Sequence, residues 1–525
     1  MYLPNNPWYF VAIVAVLAAY LRSIIKWRAR ARGRPLPPGP PRLPIIGNML
    51  VMPKWKPWLG FRELSEKYGP IMYMEVFGKP MIVLNSPDIM NELLEKRSAK
   101  SSRRIETPLI PLAGQAFNFA FMQYGQWWRS HRRMFWQHFQ PAKVSDYWPV
   151  QREIIRKFLV KLHDTPSDLQ RLIQYNVTAA TMKVTYGIDI DEDEDKWIRV
   201  VDDAFAGLRV VTISVQFLLE HFPLVRHIPA WFPGAGFQKT LGKARAPSDY
   251  MLDVPFAMAK ENARTGSGYP SVVADILSRF GAQGPDAENE QVAKNVAAIA
   301  VEGACIVTYS TIQGIFLALS LYPEVQRKAQ AELDAVIGPH RLPDFEDRES
   351  LVYINAIVKE SIRWHNVVPV GVGHCITEDD EFQGYFLPAG AVLVPNVWSV
   401  MHNPEIYPNP EQFNPDRFIR DGKLDTSALD PASKIFGFGR RQVRPICPGR
   451  YFADSTLFIT VACALHVFNI GLPLDENGRP IKIELQQSHG FLSYPEDCRC
   501  TITPRSAEAV ALIKALAAEN AHSES

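Results

Sequence analysis

Residues 291–320 are largely apolar and contain no proline, in a chain of 525 residues that has 42 prolines. A helix that is apolar on most of its sides is stable only where other elements surround it. The stretch therefore predicts a long helix that crosses the interior of the protein. No linker or internal repeat divides the chain after residue 50, so one large body is expected around this helix.

Most of the remaining sequence has helical composition and few strand-like runs. Residues 71–84 predict a β-hairpin with its turn at Gly78-Lys79-Pro80, and residues 366–396 predict short strands. Further helices are predicted near 87–97, from Pro323 to Gly338, over 351–364 and near 449–468. The expected fold class is mainly α with small β-sheets, in a single large domain.

The N-terminus differs from the body in charge and hydropathy. Residues 8–21 are apolar and uncharged, and six arginines or lysines follow between Arg22 and Arg34. An apolar run with basic residues on its C-terminal side predicts a membrane anchor that leaves the rest of the chain in the cytosol. The proline-rich segment 35–41 cannot be helical and predicts a stiff spacer. The expected organisation is a transmembrane anchor (1–25), a basic and proline-rich hinge (26–50) and a catalytic domain (51–525).

Charge and cysteine content exclude several functional classes. Residues 1–62 hold ten of the 57 lysines and arginines and no acid, which leaves 47 basic against 55 acidic residues in the body. A body with a net charge of −8 is not typical of a nucleic-acid-binding protein. The six cysteines form no CxxC pair, so a disulfide scaffold, a zinc ribbon and a thioredoxin site are all disfavoured. Any special cysteine is then expected to be a ligand or a nucleophile.

Cys447 stands in such a setting, within the run from Phe436 to Gly449, FGFGRRQVRPICPG. Glycines let the backbone approach a large flat ligand, and arginines pair with its carboxylates. Amides that converge before a helix also stabilise a thiolate. The simpler interpretation is a buried cysteine that acts only as a small hydrophobic residue.

Two further side-chain pairs are candidates for a functional site. Glu360 and Arg363 share one helical face, as do Trp128 and Arg132 one turn apart. Taken alone, the first pair could be a surface ion pair and the second part of a solvated basic helix face.

Taken in order, these motifs resemble the cytochrome P-450 superfamily over nearly the whole chain. In its general sequence character, the chain is most similar to microsomal fungal members that act in secondary metabolism. The resemblance implies that Cys447, in a loop with Phe436 and Gly449, binds the iron of haem b. It implies a structural triad of Glu360, Arg363 and Arg417, the last within FNPDRF at 413–418. The cofactor-binding residues that it implies are Trp128, Arg132, His374, Arg441 and Arg444, of which Trp128, Arg132 and one of the last two contact a haem propionate.

The sequence departs from the family pattern at the cysteine loop. Family members have the cysteine four residues after the last glycine of this motif, whereas Cys447 is eight residues after Gly439. Residues Gln442 to Pro445 are therefore an insertion or an error in the gene model. With the insertion, Arg444 is an alternative to Arg441 as a propionate partner.

Two other departures concern dioxygen chemistry and haem retention. The family has an acid followed by threonine in the long helix, where this chain has Ile306 and Val307. That pair relays protons, so Thr308 or Glu302, acting through water, is the candidate replacement. The family also has a His-Arg pair after the ExxR helix, where this chain has His374-Cys375.

By resemblance, the expected activity is a monooxygenase that uses O2 and electrons from NADPH–cytochrome P-450 reductase. The expected substrate is a small apolar organic compound, such as a terpenoid, an alkaloid or a polycyclic aromatic, and the expected location is the endoplasmic reticulum membrane with its lipid. Two alternatives stay open. One is a haem enzyme that uses peroxide or catalyses rearrangement or dehydration, and the other is an inactive haem-poor binding protein.

Overall fold

The predicted interior helix extends from Ala287 to Leu321 in the computed structural model, which describes residues 7–190, 195–209, 224, 227–233, 235–281, 284–439 and 447–524. Its N-terminus is capped by the Asp286 carboxylate, which accepts a hydrogen bond from the Asn289 amide at 2.8 Å. Pro323, two residues after its end, starts the next helix. Its side chains are buried along most of its length, so this long helix is the axis of the core.

The body contains further helices of eight or more residues, several of which, such as Gln126–Phe139 and Leu169–Tyr186, contact this axis directly. Within the described ranges they are Pro7–Ala31, Pro57–Tyr68, Gln126–Phe139, Trp148–Asp164, Leu169–Tyr186, Asp195–Arg209, Gly236–Thr265, Pro323–Val336, Val352–Trp364, Arg450–Val467 and Ala507–Glu524. Shorter helical segments are Pro87–Met90, Ser98–Ser101, Leu109–Leu112, Pro141–Val144, Val272–Ser278, Val397–Met401 and Ala432–Ile435. Two large apolar clusters line opposite halves of the long helix.

The strands form small separate sheets at the edge of this helical body. The strands of the largest sheet are β1 (Ile71–Val76), β2 (Lys79–Leu84), β3 (His374–Cys375) and β6 (Val392–Pro395), in the order β1-β2-β6-β3. Strands β2 and β6 are parallel, while the other two contacts are antiparallel. Three two-stranded sheets pair β4 (Asp380–Phe382) with β5 (Tyr385–Leu387), β7 (Ile419–Arg420) with β8 (Lys423–Leu424), and β9 (Phe468–Gly471) with β10 (Thr501–Pro504). The mainly helical class with small sheets, expected from the sequence, is confirmed.

The structure differs from the sequence predictions in local boundaries. The first helix continues through Ala31, so the beginning of the predicted hinge at residue 26 is helical. Residues 26–31 contain neither glycine nor proline, and Gly33 with a positive φ of 75° comes only after the helix. The turn of the hairpin is at Phe77-Gly78, both with positive φ, so Lys79 and Pro80 belong to β2.

One helix among the described residues, the long helix, is long and apolar enough to cross a membrane, and 78% of its apolar window is buried inside the protein. Such burial is typical of a core helix.

Candidate active site

The Cys447 thiol lies just before the helix Arg450–Val467, and the backbone amides of Gly449 and Arg450 donate toward its sulfur. The Cys447 amide donates to the Phe436 carbonyl at 3.0 Å, which joins the two ends of the predicted cysteine loop. Burial raises the pKa of the thiol, while the two amides and the charges of Arg132 and Arg450 act to lower it. Amide donors and cations around one sulfur are the environment that favours a thiolate once a metal replaces the proton.

Gly449 is close to both the sulfur and the helix Gln126–Phe139. A Cβ atom at this position would lie 3.9 Å from Cζ of Phe135 and 4.0 Å from Sγ of Cys447. The absence of a side chain there keeps the space beside the thiol narrow but open.

Arg132 is the cation on that neighbouring helix. Burial lowers the pKa of its guanidinium to about 10, and the charge on Cys447 acts in the opposite direction. A desolvated cation needs an anion nearby, so the region beside Cys447 suits a ligand that carries carboxylates. Arg441, Arg444 and the insertion from Gln442 to Pro445 lie outside the described residues.

Trp128 and His374, two other predicted cofactor-binding residues, both contact backbone carbonyls here. The Trp128 indole N–H donates to the Phe119 carbonyl at 3.1 Å, and Nδ1 of His374 lies 2.8 Å from the Ser101 carbonyl. Both side chains are buried. Sequence reasoning missed Arg104, a buried cation near Ser101.

Arg104 is buried, and its guanidinium donates to three carbonyls, those of Ala120 at 2.9 Å, Val372 at 2.8 Å and Gly373 at 3.0 Å. The last two precede His374 directly in the sequence. A buried guanidinium therefore lies close to the position where Cys375 replaces the arginine of the family's His-Arg pair. Spacing along the chain could not have identified it, because Arg104 and Gly373 are 269 residues apart.

The structure brings Glu360, Arg363 and Arg417 together around one carboxylate. Arg363 donates to both carboxylate oxygens of Glu360, at 2.6 and 2.8 Å, and Nε of Arg417 donates to Oε1 at 3.1 Å. The side chains of Glu360 and Arg363 are fully buried, and that of Arg417 is 9% exposed. The first two are thus not the surface ion pair of the simpler interpretation. Arg363 also donates to the Met401 carbonyl at 2.9 Å.

Glu302 lies on the long helix and is fully buried. Its two oxygens accept hydrogen bonds from different amide side chains, Nε2 of Gln115 at 2.6 Å and Nδ2 of Asn118 at 3.2 Å. Burial raises the pKa of Glu302 to about 8, against the lowering effect of the two amides. The carboxyl group can therefore hold a proton near neutral pH. Gln115 and Asn118 could not be found from the sequence, since they are more than 180 residues away from Glu302.

Ile306 and Val307 belong to a small apolar cluster that draws on four separate segments of the chain. We call it the pocket cluster; it consists of Ile110, Phe121, Ile306, Val307, Val367, Val368, Phe491, Leu492 and Tyr494. Ile110 and Phe121 also line an open cavity of about 390 Å³. Thr308 is buried.

Comparison with known proteins agrees with this geometry. The family model described as Cytochrome P450 matches residues 37–497, which include every candidate residue above. The chain is a cytochrome P450. It is 38% identical to cytochrome P450 monooxygenase COX1 of Coprinopsis cinerea over 517 residues, which are 96% of this chain and 98% of the relative. It is 36% identical to tryptamine 4-monooxygenase of Psilocybe cyanescens over 485 residues, or 91% and 95% of the two chains.

The family membership makes this P450 a haem-thiolate monooxygenase, an oxidoreductase that incorporates oxygen from O2 into an organic substrate with electrons from a redox partner. The residues fit the cofactor, since Cys447 offers sulfur between amide donors and Arg132 offers a partly buried cation for a carboxylate. When bound, a haem-thiolate group supplies the dioxygen chemistry, and the protein orients it, excludes water and delivers protons.

Replacement of Glu360 by alanine should prevent this P450 from folding stably. The Arg363 guanidinium would remain fully buried without its carboxylate, which costs about 3–5 kcal/mol. The midpoint of thermal unfolding of the purified protein measures this effect. The matched control is Lys359→Ala, which removes the neighbouring, partly exposed 2.8 Å ion pair with Asp430 and should cost less than about 1 kcal/mol. Equal effects of the two substitutions would contradict the buried-network interpretation.

Glu302 should make this P450 less stable as the pH rises. Its pKa is about 8 in the folded protein against 4.5 in the unfolded chain, so the folded state binds more protons between these values. The contribution of this residue to the free energy of unfolding then falls as the pH rises from about 4.5 to about 8 and is constant above that. Urea titrations at pH 6 and pH 8.5 measure the difference, which Glu302→Gln should reduce. An unchanged difference in the variant would show that other groups cause it.

Proposed function

We propose that this P450 is a membrane-anchored haem b monooxygenase that oxidises a small apolar organic compound with electrons from NADPH–cytochrome P450 reductase. The observation that carries the proposal is the environment of Cys447, whose sulfur faces two amide donors and two arginine charges. Cys447 is accordingly the proposed iron ligand. Arg132 and Trp128 are the proposed propionate partners, together with Arg441 or Arg444, and His374 is a further proposed cofactor-binding residue.

The pocket cluster supports an apolar substrate. Its members are aliphatic or aromatic apart from the hydroxyl of Tyr494, and the rings of Phe121 and Phe491 lie 6.0 Å apart. A surface of this kind gains free energy mainly by removing apolar area from water. Terpenoids, polycyclic aromatics and alkaloids all offer such area. One relative is named for its action on tryptamine, an indole with an amino group on an alkyl side chain, which supports keeping alkaloids in the proposed range.

Proton delivery is proposed to use Thr308 and Glu302 in place of the acid–threonine pair. Ile306 and Val307 cannot exchange protons, whereas the hydroxyl of the buried Thr308 can donate and accept a hydrogen bond. Glu302 supports the role of proton source through its pKa of about 8.

The same apolar replacements favour a second candidate, a haem enzyme that needs no proton relay for O2 and uses peroxide, or rearranges its substrate. Product formation with hydrogen peroxide alone, without reductase, would favour this candidate, and strict dependence on NADPH would exclude it.

The location proposed is the endoplasmic reticulum membrane, with the catalytic domain in the cytosol. The first helix, Pro7–Ala31, supports an anchor because the described apolar residues Val11, Val14, Leu21 and Ile25 are each at least 47% exposed. Its last turn contacts the body through a two-pronged ion pair of Arg30 with Asp379, at 2.6 and 2.9 Å.

Exposed apolar side chains elsewhere suggest a second contact with lipid. Trp231 is 80% exposed and Phe232 is 49% exposed. Contiguous exposed apolar groups on a folded protein are typical of membrane or protein contacts. The N-terminal segment 43–55 adds Leu43, Ile45, Met49, Leu50, Val51 and Trp55, all at least 43% exposed.

Cys447→Ser should abolish the thiolate-type absorption band in the carbon monoxide difference spectrum of the reduced protein. The serine oxygen cannot replace a thiolate as the electron-donating ligand. Cys463→Ser, which alters a buried cysteine in the middle of the helix Arg450–Val467, is the control and should retain the band. A band that persists in the Cys447 variant would refute Cys447 as the ligand. Its absence from the wild-type protein would remove the monooxygenase proposal and leave only the family fold.

Deletion of residues 2–25 should release the protein from the carbonate-resistant membrane fraction, because it removes the proposed anchor. The truncated protein should still float with phosphatidylcholine vesicles, and Trp231→Asp should reduce that flotation severalfold. Val336→Asp, at a 38% exposed position on another helix, is the control and should not change it. Extraction of the full-length protein by carbonate would refute the anchor.

A further inference from the structure

A buried histidine, His365, joins three separate elements behind the pocket cluster. It follows the helix Val352–Trp364, and its ring is buried. Its Nε2 atom lies 2.8 Å from the Ser310 hydroxyl on the long helix. Its Nδ1 atom lies 3.2 Å from Nε2 of Gln487, in the C-terminal part of the chain. None of these three residues has a role in the proposed chemistry.

The directions of these hydrogen bonds follow from one fixed contact. The Ser310 hydroxyl donates to the Ser493 carbonyl at 2.7 Å, so its oxygen must accept from Nε2–H of His365. Nδ1 is then unprotonated and accepts from Gln487. Burial lowers the pKa of His365 to about 3, which agrees with a neutral ring. Both ring nitrogens have partners, so the imidazole has one orientation.

The long helix provides the space that the ring occupies. A Cβ atom on Gly314 would lie 2.9 Å from Cδ2 of His365 and 3.1 Å from its Cβ, closer than side chains tolerate. Ser310 and Gly314 are one turn apart on the same face of the helix, and Ile306 of the pocket cluster is one turn before them. The histidine thus packs against a helix face that also lines the pocket.

The element held by this contact is a closed turn, residues 487–494. The Ser488 amide donates to the Tyr494 carbonyl at 2.7 Å, and the Ser493 amide donates to the Val367 carbonyl at 2.8 Å. Phe491, Leu492 and Tyr494 of this turn are members of the pocket cluster. Its outer end is held by His489, whose ring stacks on Trp55 with centroids 4.8 Å apart.

We propose that His365 is a positioning residue that fixes the turn 487–494 against the long helix and thereby determines which bulky substrates the pocket accepts. Without this contact, the Ser493 carbonyl and the Ser310 hydroxyl lose their mutual orientation, and the three apolar side chains of the turn lose a fixed position. The inference rests on the proposed function in one respect, namely that the pocket cluster borders the haem.

The test uses the full-length holoprotein and compares two azoles that bind haem iron, imidazole and the much larger clotrimazole. Imidazole fills little of the pocket, whereas clotrimazole must contact its walls. Spectral titration of His365→Gln should show a dissociation constant for clotrimazole raised about tenfold, with that for imidazole unchanged within about twofold, on the scale of one lost buried hydrogen bond. Hydrogen exchange of a peptide covering residues 487–495 should be at least about tenfold faster.

Two further variants keep the proposal testable if His365→Gln folds poorly. Gly314→Ala retains every hydrogen-bonding group but pushes the ring, and Ser310→Ala removes the hydroxyl that contacts it. Both should raise the ratio of the dissociation constant for clotrimazole to that for imidazole. The matched control is His466→Gln, which alters another buried histidine, near the C-terminal helix Ala507–Glu524, and should lower stability without changing the ratio.

A parallel change in the affinity for both azoles would show that His365 contributes only general stability, and would overturn the proposal. An unchanged ratio in all three variants would also overturn it. Hydrogen exchange does not require bound haem. If neither the wild-type protein nor His365→Gln gives an azole spectrum, but exchange is faster in the variant, the proposed function is refuted and the role of His365 in holding the turn is supported. If His365→Gln gives a normal azole spectrum and unchanged hydrogen exchange, His365 does not hold the turn. That result would overturn the proposal and leave the proposed function intact.

Discussion

The Glu360 carboxylate is the interaction on which the arrangement of the C-terminal half depends. It lies inside the protein with no exposure and accepts hydrogen bonds from two guanidinium groups and from the Asn414 amide. A buried ion network contributes little net stability compared with apolar packing, but loss of one member leaves an uncompensated charge. The network thus selects one arrangement of the helix Val352–Trp364 relative to the segment 408–418. His365 directly follows this helix, so its position depends on that arrangement.

Features that depend on local composition could be predicted from the sequence. The long helix, the hairpin 71–84 and the helices after Pro323 and Gly449 follow from apolar runs and from proline and glycine positions. Cys447 was identified through its neighbours in the chain. The partners of buried polar groups could not be predicted in this way. Gln115 and Asn118 reach Glu302, and Arg104 reaches Gly373, only because distant segments pack together.

The difference between local composition and long-range packing also explains why the first helix and the hairpin turn do not end where the sequence predicts. The end of the first helix depends on where an interruption occurs, and arginine and alanine between residues 26 and 31 do not supply one. The hairpin turn was placed at Gly78-Lys79-Pro80 because glycine and proline are typical of turns. In the structure, Phe77 takes the left-handed conformation together with Gly78, and Pro80 lies on β2 opposite Glu75. There the parallel pairing with β6 starts only at Met81, so the missing amide of Pro80 interrupts no hydrogen bond to that strand.

The family has its acid and threonine on the long helix at the positions of Ile306 and Val307. In this chain the polar side chains lie one turn before and one turn after these positions. Glu302, Ile306 and Ser310 repeat at intervals of four residues and therefore share one face of the helix. Glu302 binds the segment that carries Ile110 and Phe121, and Ser310 binds the turn that carries Phe491 and Leu492. Eight residues of helix separate these two attachments by roughly 12 Å along the axis. Opposite walls of the proposed pocket are thus attached to one rigid element, with apolar Ile306 between them. A chain that lost the acid at this position could keep the pocket intact, because the two attachments, and not the central residue, hold its walls.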